Sequence, residues 1–196
     1  MIKINQKVND FELDGYFPKE DKIKKIKRGP AVMISKDIGA IIVNTGINKR
    51  SEVIEAGTGS GMLAAYLSRV VKRVYGYEKR KDFYELAKKN FKFLKIRNIK
   101  LKNEDVKKAK EKVDLIVLDL ANPWEYRLEK NLKDKGFLVC YLPNITQVME
   151  LVKNNKLKFI KMIEIIEREW IIDEKRARPK NVILGHTGFL VFLRKI

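Results

Sequence analysis

Residues 55–61, with the sequence EAGTGSG, constrain the fold of this chain more than any other segment. They join a short apolar segment, residues 52–56, to an amphipathic one, residues 61–70, and so predict a buried strand, a glycine turn and a helix in succession. Glycines permit positive φ and a close approach of the backbone to a ligand, and the following helix offers free N–H groups to an anion. Taken alone, such a loop is weak evidence, because it can be only a tight turn.

The rest of the chain alternates predicted strands with predicted helices, which implies right-handed βαβ units and a parallel sheet. The last two strands have no helix between them and predict an antiparallel hairpin at one edge. The fold class is therefore α/β, with a mostly parallel seven-stranded sheet and helices on both faces. The predicted strands are residues 52–56, 73–77, 99–102, 113–118, 137–142, 158–169 and 187–193, and the predicted helices are residues 37–44, 61–70, 82–94, 125–132 and 145–154.

With 196 residues, the chain predicts one ordinary domain. Residues 1–30 are irregular apart from a predicted basic helix over residues 19–28, and we expect them to form a short N-terminal extension ahead of a domain over residues 31–196. Asp37 is expected to cap the first helix of that domain, and Gly46 to end it.

Positive charge is the strongest compositional signal. Lysine and arginine number 43 against 25 aspartate and glutamate, which leaves a net charge of +18. A thermophile-like surface explains many of the charges but not the imbalance between signs. The imbalance favours a polyanionic partner such as a nucleic acid. Half of it falls in residues 79–112, where Lys88, Lys92 and Lys95 share one face of the predicted helix; a solvated face is the alternative.

Four consecutive predicted strands end beside an acidic residue. Glu55 follows the first strand, Glu78 the second, Asp105 the third and Asp119 the fourth. Ligands of open parallel sheets bind outside the carboxyl ends of the strands, and a carboxylate about twenty residues after the glycine turn can accept both hydroxyls of a ribose. The acids together indicate an adenosyl ligand, although Asp105 alone can equally be a helix cap.

The glycine spacing argues against a dinucleotide-binding dehydrogenase. The G-x-G-x-x-G fingerprint requires its third glycine at position 62, which is Met62, whereas this loop reads G-x-G-x-G. The predicted terminal hairpin is also unlike a dinucleotide-binding domain.

The order of these motifs resembles the class I S-adenosylmethionine-dependent methyltransferases, and in particular the archaeal and bacterial tRNA adenine-N1 methyltransferases that act in the T-loop. The resemblance spans residues 25–196. It is carried by KIKRGP (25–30) with SKD (35–37), EAGTGSG (55–61), YEKRKDF (77–83), DLANPW (119–124), YLPNITQVM (141–149) and RARPKNVILGHTGFLVFLRK (176–195).

The resemblance implies a Rossmann-like methyltransferase fold, S-adenosylmethionine as cofactor, methyl transfer to N1 of adenine in tRNA, and a homo-oligomer, typically a tetramer. Asp119 would be the catalytic residue, beside the methyl group and the target base, and Asn103 is an alternative to Asp105 at the cofactor adenine. The cofactor-binding residues would be Glu55, Gly57, Thr58, Gly59, Ser60, Gly61, Glu78, Asp105 and Asp119, and the substrate-binding residues Arg176, Arg178 and His186.

The chain departs from the family in two places. Ile34 and Ser35 replace an aromatic or histidine followed by proline, and the N-terminal domain implicated in RNA binding is expected to be shortened. Two residues keep a purely structural alternative: His186 can be part of a turn, and Trp124 can pack against the sheet instead of stacking on a base.

Other functions stay open. Asn122-Pro123-Trp124 resembles the Asn-Pro-Pro-aromatic motif of enzymes that methylate exocyclic amines, but it lacks the second proline. Protein or small-molecule methylation leaves the charge unexplained, and a non-catalytic RNA-binding subunit would have lost the glycines and acids.

Few features point outside a reducing cytoplasm. One cysteine, Cys140, and one histidine exclude an intramolecular disulfide and a Cys/His zinc cluster. The sequence has no signal-peptide pattern and no membrane-length apolar run, so we expect a cytoplasmic protein without a metal or a membrane partner.

Overall fold

The computed structural model describes residues 21–29 and 32–196. The helices are α1 (Ser35–Thr45), α2 (Met62–Val70), α3 (Lys81–Phe93) and α4 (Ile145–Asn154). The strands are β1 (Glu52–Ala56), β2 (Arg73–Tyr77), β3 (Ile99–Lys102), β4 (Val113–Leu118), β5 (Leu132–Leu142), β6 (Lys158–Ile163), β7 (Trp170–Ile172), β8 (Ala177–Pro179) and β9 (Phe189–Arg194).

Seven of the strands form one sheet in the order β3-β2-β1-β4-β5-β9-β6. The first five positions are parallel, with β1 between β2 and β4. Strand β9 is antiparallel to both of its neighbours, β5 and β6, and β7 pairs with β8 as a separate hairpin. The predicted Rossmann-like methyltransferase fold, with its mostly parallel sheet and C-terminal antiparallel hairpin, is confirmed.

Alternate residues of the strands feed two apolar layers, one on each face of the sheet. On one face Val53 and Val117 pack with side chains of α1, α2 and α3. On the other face Ile54 and Leu118 pack with α4 and with the short turns around residues 106 and 128. Helices therefore cover both faces, and the carboxyl ends of the parallel strands are left to form the floor of a cleft.

The first helix differs from the prediction at its start. Helix α1 begins at Ser35 rather than after Asp37, and Asp37 lies in the first turn, where it is fully buried. Its carboxylate bonds the side chains of the preceding residue, Lys36, and of Thr187 near the end of the chain, and not the N–H groups of its own helix. Gly46 does end the helix, in the left-handed conformation with φ 65°.

The helix predicted over residues 125–132 is wrong. Two separate 3-10 turns, Pro123–Glu125 and Glu129–Asn131, occupy this segment. Buried Asn131 uses its amide to bond the carbonyls of Ala109 and Glu111, which fixes the chain in an irregular path. Strand β5 starts five residues before the predicted one, at Leu132, which pairs with Val113 across a register shift.

Both strands of the terminal hairpin have different bounds from those predicted. Strand β6 ends at Ile163 instead of residue 169, because only residues 158–163 have β9 as a partner. Strand β9 runs from Phe189 to Arg194 instead of residues 187–193.

The basic helix predicted over residues 19–28 reduces to one 3-10 turn, Lys22–Lys25, capped by Asp21. Ile23 and Ile26 beside it are buried in the apolar layer that contains α2. The predicted domain boundary at residues 30 and 31 and the irregular structure predicted for residues 1–20 lie outside the described residues.

Candidate active site

The glycine loop is held against the ends of β2 and β4. Gly57, Gly59 and Gly61 have φ of 84°, 56° and 85°, conformations that other residues rarely adopt. The N–H groups of Gly57 and Thr58 both donate to the carbonyl of Tyr77, at 3.1 and 3.4 Å. A Cβ on Gly57 would come within 2.2 Å of the Asp119 carbonyl oxygen, so only glycine allows this approach.

Glu55 lies beneath the loop and is almost completely shielded from water. Burial raises the pKa of its carboxyl to about 8, against the opposing effect of a hydrogen bond from Thr58 and with help from the charges of Asp119 and Glu78. The Thr58 hydroxyl donates to Glu55 Oε2 at 2.7 Å. A buried acid with a raised pKa at a strand end is typical of a functional cleft.

Glu78 accepts two backbone hydrogen bonds at the end of β2. Its Oε2 accepts from the N–H of Gly59 at 2.8 Å, and its Oε1 accepts from the N–H of Arg80 at 2.9 Å. The carboxylate therefore joins the glycine loop to the start of α3. The amide of Asn103 donates to the carbonyls of Glu78 and Lys79, so this predicted alternative cofactor residue anchors the backbone around Glu78.

Asp119 is the first residue after β4, and its N–H donates to the carbonyl of Ala56 at 2.9 Å. Its side chain is exposed at the mouth of the cleft, and the surrounding protein displaces part of the water around the carboxylate. This desolvation raises the pKa of Asp119 to about 6. Near neutral pH the carboxylate is therefore mostly ionised and able to accept hydrogen bonds.

Two neighbouring cavities, which share Gly57 as a lining residue, follow the strand ends. The larger, about 250 Å³, lies between Glu78, Asp105 and Leu120. The smaller, about 20 Å³, lies between Glu55, the residues of the glycine loop and Asp119. Asp105 also caps the 3-10 turn that follows it, and it pairs with Lys79 at 3.1 Å. The cleft thus brings together all the predicted cofactor residues except Gly61, which begins α2.

The residues of the cleft fit S-adenosylmethionine. Glu55, Glu78 and Asp119 bring three carboxyl groups to the two neighbouring cavities, and a ligand with a net positive charge offsets the electrostatic repulsion that helps to raise the pKa of Glu55. Apolar walls such as Val106 and Leu120 suit an adenine ring, Glu78 suits ribose hydroxyls, and the N-terminus of α2 suits a carboxylate. Within residues 21–29 and 32–196, no group of three or more His, Cys, Asp or Glu is placed to hold a metal ion.

A polar cluster around the buried Asp37 was not predictable from the sequence. Lys36 Nζ bonds Asp37 Oδ1 at 2.8 Å, and the Thr187 hydroxyl donates to Asp37 Oδ2 at 2.9 Å. The Tyr141 hydroxyl donates to the Thr187 carbonyl at 2.5 Å, and burial raises the pKa of this phenol to about 12. The only sequence signal was that all four residues fall in motifs of the family resemblance.

Three predicted substrate residues lie outside the cleft. Arg176 bonds Asp173 and Arg178 bonds Asn181, so both arginines are engaged around the β7–β8 hairpin. His186 lies in the segment before β9, where Nδ1 contacts Glu164 and Nε2 lies 2.8 Å from the Pro143 carbonyl.

Trp124 is partly buried and packs into the apolar layer shared with α4. Its structural alternative, packing against the sheet, is the one observed.

Comparison with known proteins agrees with this geometry. A family model described as the tRNA methyltransferase complex GCD14 subunit matches residues 27–177. The tRNA (adenine(57)-N(1)/adenine(58)-N(1))-methyltransferase TrmI of Methanocaldococcus jannaschii is 38% identical, over 89% of this chain and 75% of the relative. The tRNA (adenine(58)-N(1))-methyltransferase TrmI of Thermus thermophilus is 35% identical, over 90% of this chain and 74% of the relative.

A solved structure extends the similarity to three dimensions. The tRNA (m1A58) methyltransferase TrmI from Aquifex aeolicus superposes with a TM-score of 0.85 at 31% identity, covering 92% of this chain and 77% of that one. The sequence and the arrangement of the cleft lead to the same conclusion. This chain belongs to the TrmI family of tRNA methyltransferases and is a class I S-adenosylmethionine-dependent methyltransferase.

Proposed function

We propose that this protein transfers a methyl group from S-adenosylmethionine to N1 of an adenine in tRNA. The observation that carries the proposal is the position of Asp119, an acid at the mouth of the cleft that lines the same small cavity as Glu55 and the glycine loop. The reaction and substrate in the names of the relatives from Methanocaldococcus jannaschii and Thermus thermophilus support it.

S-adenosylmethionine supplies, when bound, a methyl group made reactive by a positively charged sulfur. The residues of the chain would hold and orient this cofactor. Glu78 would accept the ribose hydroxyls, Asp105 would meet the adenine amine, and the buried pair of Glu55 and Thr58 would fix the loop that surrounds the methionine part. Gly61 would let α2 begin directly at the ligand, because its φ of 85° turns the chain into the helix.

Asp119 would bind and orient the target base and would not serve as a general base at N1. The N1 lone pair of adenine lies in the ring plane, so N1 needs no general base before methylation. Methylation leaves a positive charge shared between the ring and the N6 amino group. A carboxylate at Asp119 that accepts from N6 would stabilise this charge and orient the base, and its effect is strengthened because the cleft limits water. The base must be unpaired or flipped to reach it.

We propose further that Arg176 and Arg178 contact the RNA from the β7–β8 hairpin. Arg176 lies in the exposed turn between β7 and β8 and Arg178 lies in β8, and their partners Asp173 and Asn181 hold them in defined orientations. Arginines suit phosphates and base edges because they donate in a planar fork. His186 would hold its neighbours Glu164 and Pro143 in place instead of contacting the RNA itself, since both of its ring nitrogens are already engaged.

We also propose a homo-oligomer, with a tetramer as the expected state. Helix α4 exposes an apolar stripe at i, i+4 and i+7: Ile145 at 48%, Met149 at 67% and Val152 at 40% exposure. A second copy of the chain would cover it. Light scattering should give a multiple of the 22.9 kDa chain mass, and Met149→Lys should reduce it.

We also propose how the chain is organised and where the protein is located. Residues 31–196 would be the catalytic domain, residues 1–30 a short extension with a reduced part in RNA binding, and the cytoplasm the location. Among the described residues, no helix is long and apolar enough to cross a membrane.

The test is transfer of label from S-adenosylmethionine to an unmodified tRNA transcript, followed by digestion to nucleosides. We expect label in 1-methyladenosine, and its loss in Asp119→Ala. Label in N6-methyladenosine would favour exocyclic amine methylation, whose Asn-Pro-Pro-aromatic motif residues 122–124 partly match. Cofactor binding without transfer to any tRNA would favour a non-catalytic subunit or a different substrate.

A further inference from the structure

The surface formed by the end of α3 and the start of β3 carries positive charge alone. Residues 88–100 contain six basic side chains and no aspartate or glutamate. All six are exposed. This surface is called the α3 ridge below, and its members are Lys88, Lys89, Lys92, Lys95, Arg97 and Lys100.

The ridge is distinguished by six neighbouring cations with no acidic residue among them. Some basic residues elsewhere are paired with acids, as Lys72 is with Glu52 at 3.3 Å and Lys133 with Asp114 at 2.9 Å. Across the described ranges, the six ridge side chains form no ion pair; Lys88 contacts the ring of Tyr84 instead. A thermophile-like surface gains from networks of opposite charges, so it does not explain a cluster of one sign. Like charges at i, i+4 cost stability.

The ridge lies along a helix that starts at the cofactor cleft. Lys79 and Arg80, immediately before α3, line the cavity of about 250 Å³ that also contains Glu78. The helix has 13 residues, which at 1.5 Å of rise per residue make about 20 Å. The segment that follows α3, residues 94–98, lines a groove of about 540 Å³ at the opposite end of the strands.

The groove continues the positive surface beyond the helix. Lys22 stands on its rim in addition to Lys95 and Arg97. Arg69, also in the wall, is bonded through two nitrogens to Asp21, so this arginine is already neutralised. The groove is open to solvent, and Lys88 and Lys92 stand about one helical turn apart on α3 ahead of Lys95 and Arg97 at the groove, so the cations form a row and do not converge on one point. Such spacing suits a chain of phosphates rather than a single small anion.

We propose that the α3 ridge and the adjoining groove bind the phosphate backbone of the RNA substrate on its way to or from the cleft. The inference rests on the proposed function, because it takes the polyanion to be the RNA that is methylated. The inference adds a location for this contact. The RNA backbone would run along α3, and the far end of this helix lies about 20 Å from the methyl-transfer site. These contacts would position the RNA without reading its bases.

The experiment compares two triple variants with the same change in charge. Lys88→Gln, Lys92→Gln and Lys95→Gln together remove the centre of the ridge. The control replaces three exposed lysines around the end of α4, on the other face of the sheet: Lys153, Lys156 and Lys158. The affinity of each protein for a labelled tRNA transcript is measured against salt concentration, together with KM and kcat for methyl transfer.

For the ridge variant we expect the slope of log affinity against log salt to fall by about 2, since each lost phosphate contact contributes about 0.7 on flexible RNA. Near 0.1 M salt this is about a 100-fold loss of affinity. KM for tRNA should rise while cofactor affinity stays the same, and replacing the three lysines by arginine should restore binding. The control should change the slope by less than half as much.

Different outcomes separate the two proposals. Equal slopes and equal KM in the ridge variant and the control, with the wild-type protein methylating tRNA, would overturn the ridge proposal and leave the proposed function intact. A wild-type protein that binds and methylates no RNA would contradict the proposed function itself. Binding of anionic lipid vesicles through the ridge, with tRNA affinity unchanged by the variant, would assign the surface to a membrane and also overturn the proposal.

Discussion

The backbone N–H of Gly59 donates a 2.8 Å hydrogen bond to Oε2 of Glu78, and this bond joins the glycine loop to the end of the neighbouring strand. The same carboxylate accepts from the N–H of Arg80, so Glu78 holds both sides of the larger cavity. An acid in this position has two tasks: it fixes the loop, and it presents its remaining lone pairs to a ligand.

Glu78→Ala should therefore weaken cofactor binding more than it destabilises the fold. A hydrogen bond to a charged group contributes about 1.5–3 kcal/mol, so we expect the dissociation constant for S-adenosylmethionine to rise about 10- to 100-fold in calorimetry. Glu104→Ala, which removes an exposed acid lining the same cavity, is the matched control. Equal losses in the two variants would show that general charge, and not the position of Glu78, governs affinity.

Replacement of a glycine should have opposite effects at two positions. At Gly57 an added Cβ would meet the Asp119 carbonyl oxygen at 2.2 Å, with φ at 84°, so Gly57→Ala should displace the loop and abolish cofactor binding. At Gly39, inside α1, an added Cβ meets nothing within 4 Å. Gly39→Ala should stabilise the protein by up to about 1 kcal/mol. Thermal unfolding and calorimetry of both variants check this, and intact cofactor binding in Gly57→Ala would contradict it.

The methyl-transfer rate should depend on the ionisation of Asp119. Its pKa is raised to about 6 by desolvation, and the proposed role requires the carboxylate. We therefore expect kcat/KM to rise with pH in an acidic limb near pH 6 and to level off above it. Because kcat/KM reports groups of the free enzyme, this limb should follow the titration of Asp119. Asp119→Asn should lower the rate and remove the limb. A limb that persists in this variant would assign the titration to another group.

Glu55 should make the fold less stable as pH rises. Its pKa is raised from 4.5 to about 8, so the folded state binds more protons than the unfolded state between these values. The free energy of unfolding then falls across this window with increasing pH. Glu55→Gln should flatten the dependence, whereas Glu85→Gln on α3 should not. Urea unfolding between pH 5 and pH 8 measures both slopes, and a steeper fall in Glu55→Gln would contradict the assignment.

Local sequence signals predicted the parts of this protein that local forces determine. The turn at residues 55–61, the ends of α4 and the apolar strand Val113–Leu118 follow from glycine geometry and periodicity within a few residues. Residues 125–132 have a helical composition, but Asn131 is committed to the carbonyls of Ala109 and Glu111, about twenty residues away in sequence. Tertiary hydrogen bonds of this kind override propensity and leave no pattern in a sequence window.

The residues of the site also divide into those that local sequence signals predict and those that they do not. The acids at strand ends were predictable because the ends of parallel strands meet at one edge of the sheet. The cluster of Asp37, Tyr141 and Thr187 was not, because its hydrogen bonds join residues separated by 104 and 150 positions. Asp37 was consequently interpreted as a cap for its own helix. Only packing of α1 against the segment before β9 reveals its partners.

His186 should titrate above its ordinary pKa because both of its ring nitrogens face acceptors. Nδ1 contacts the Glu164 carboxylate and Nε2 contacts the Pro143 carbonyl, and both nitrogens can donate only in the imidazolium form. The hydrogen bond with Glu164, followed by that with Pro143, raises the pKa of the imidazole. The stabilisation is thus present below the unfolded pKa and is lost as pH rises through the folded one.

The chain has one histidine, so proton NMR can follow this titration without overlap. Glu164→Gln should lower the pKa of His186, because the carboxamide carries no charge. Glu167→Gln, three residues further along the same exposed segment, should leave it nearly unchanged. If both variants shift the pKa equally, the overall charge of the protein, and not the bridge from Glu164 to Pro143, keeps His186 protonated. If Glu164→Gln alone shifts it, His186 donates to Glu164 and to Pro143 at the same time only while it is protonated, and one of these two hydrogen bonds is lost as pH rises.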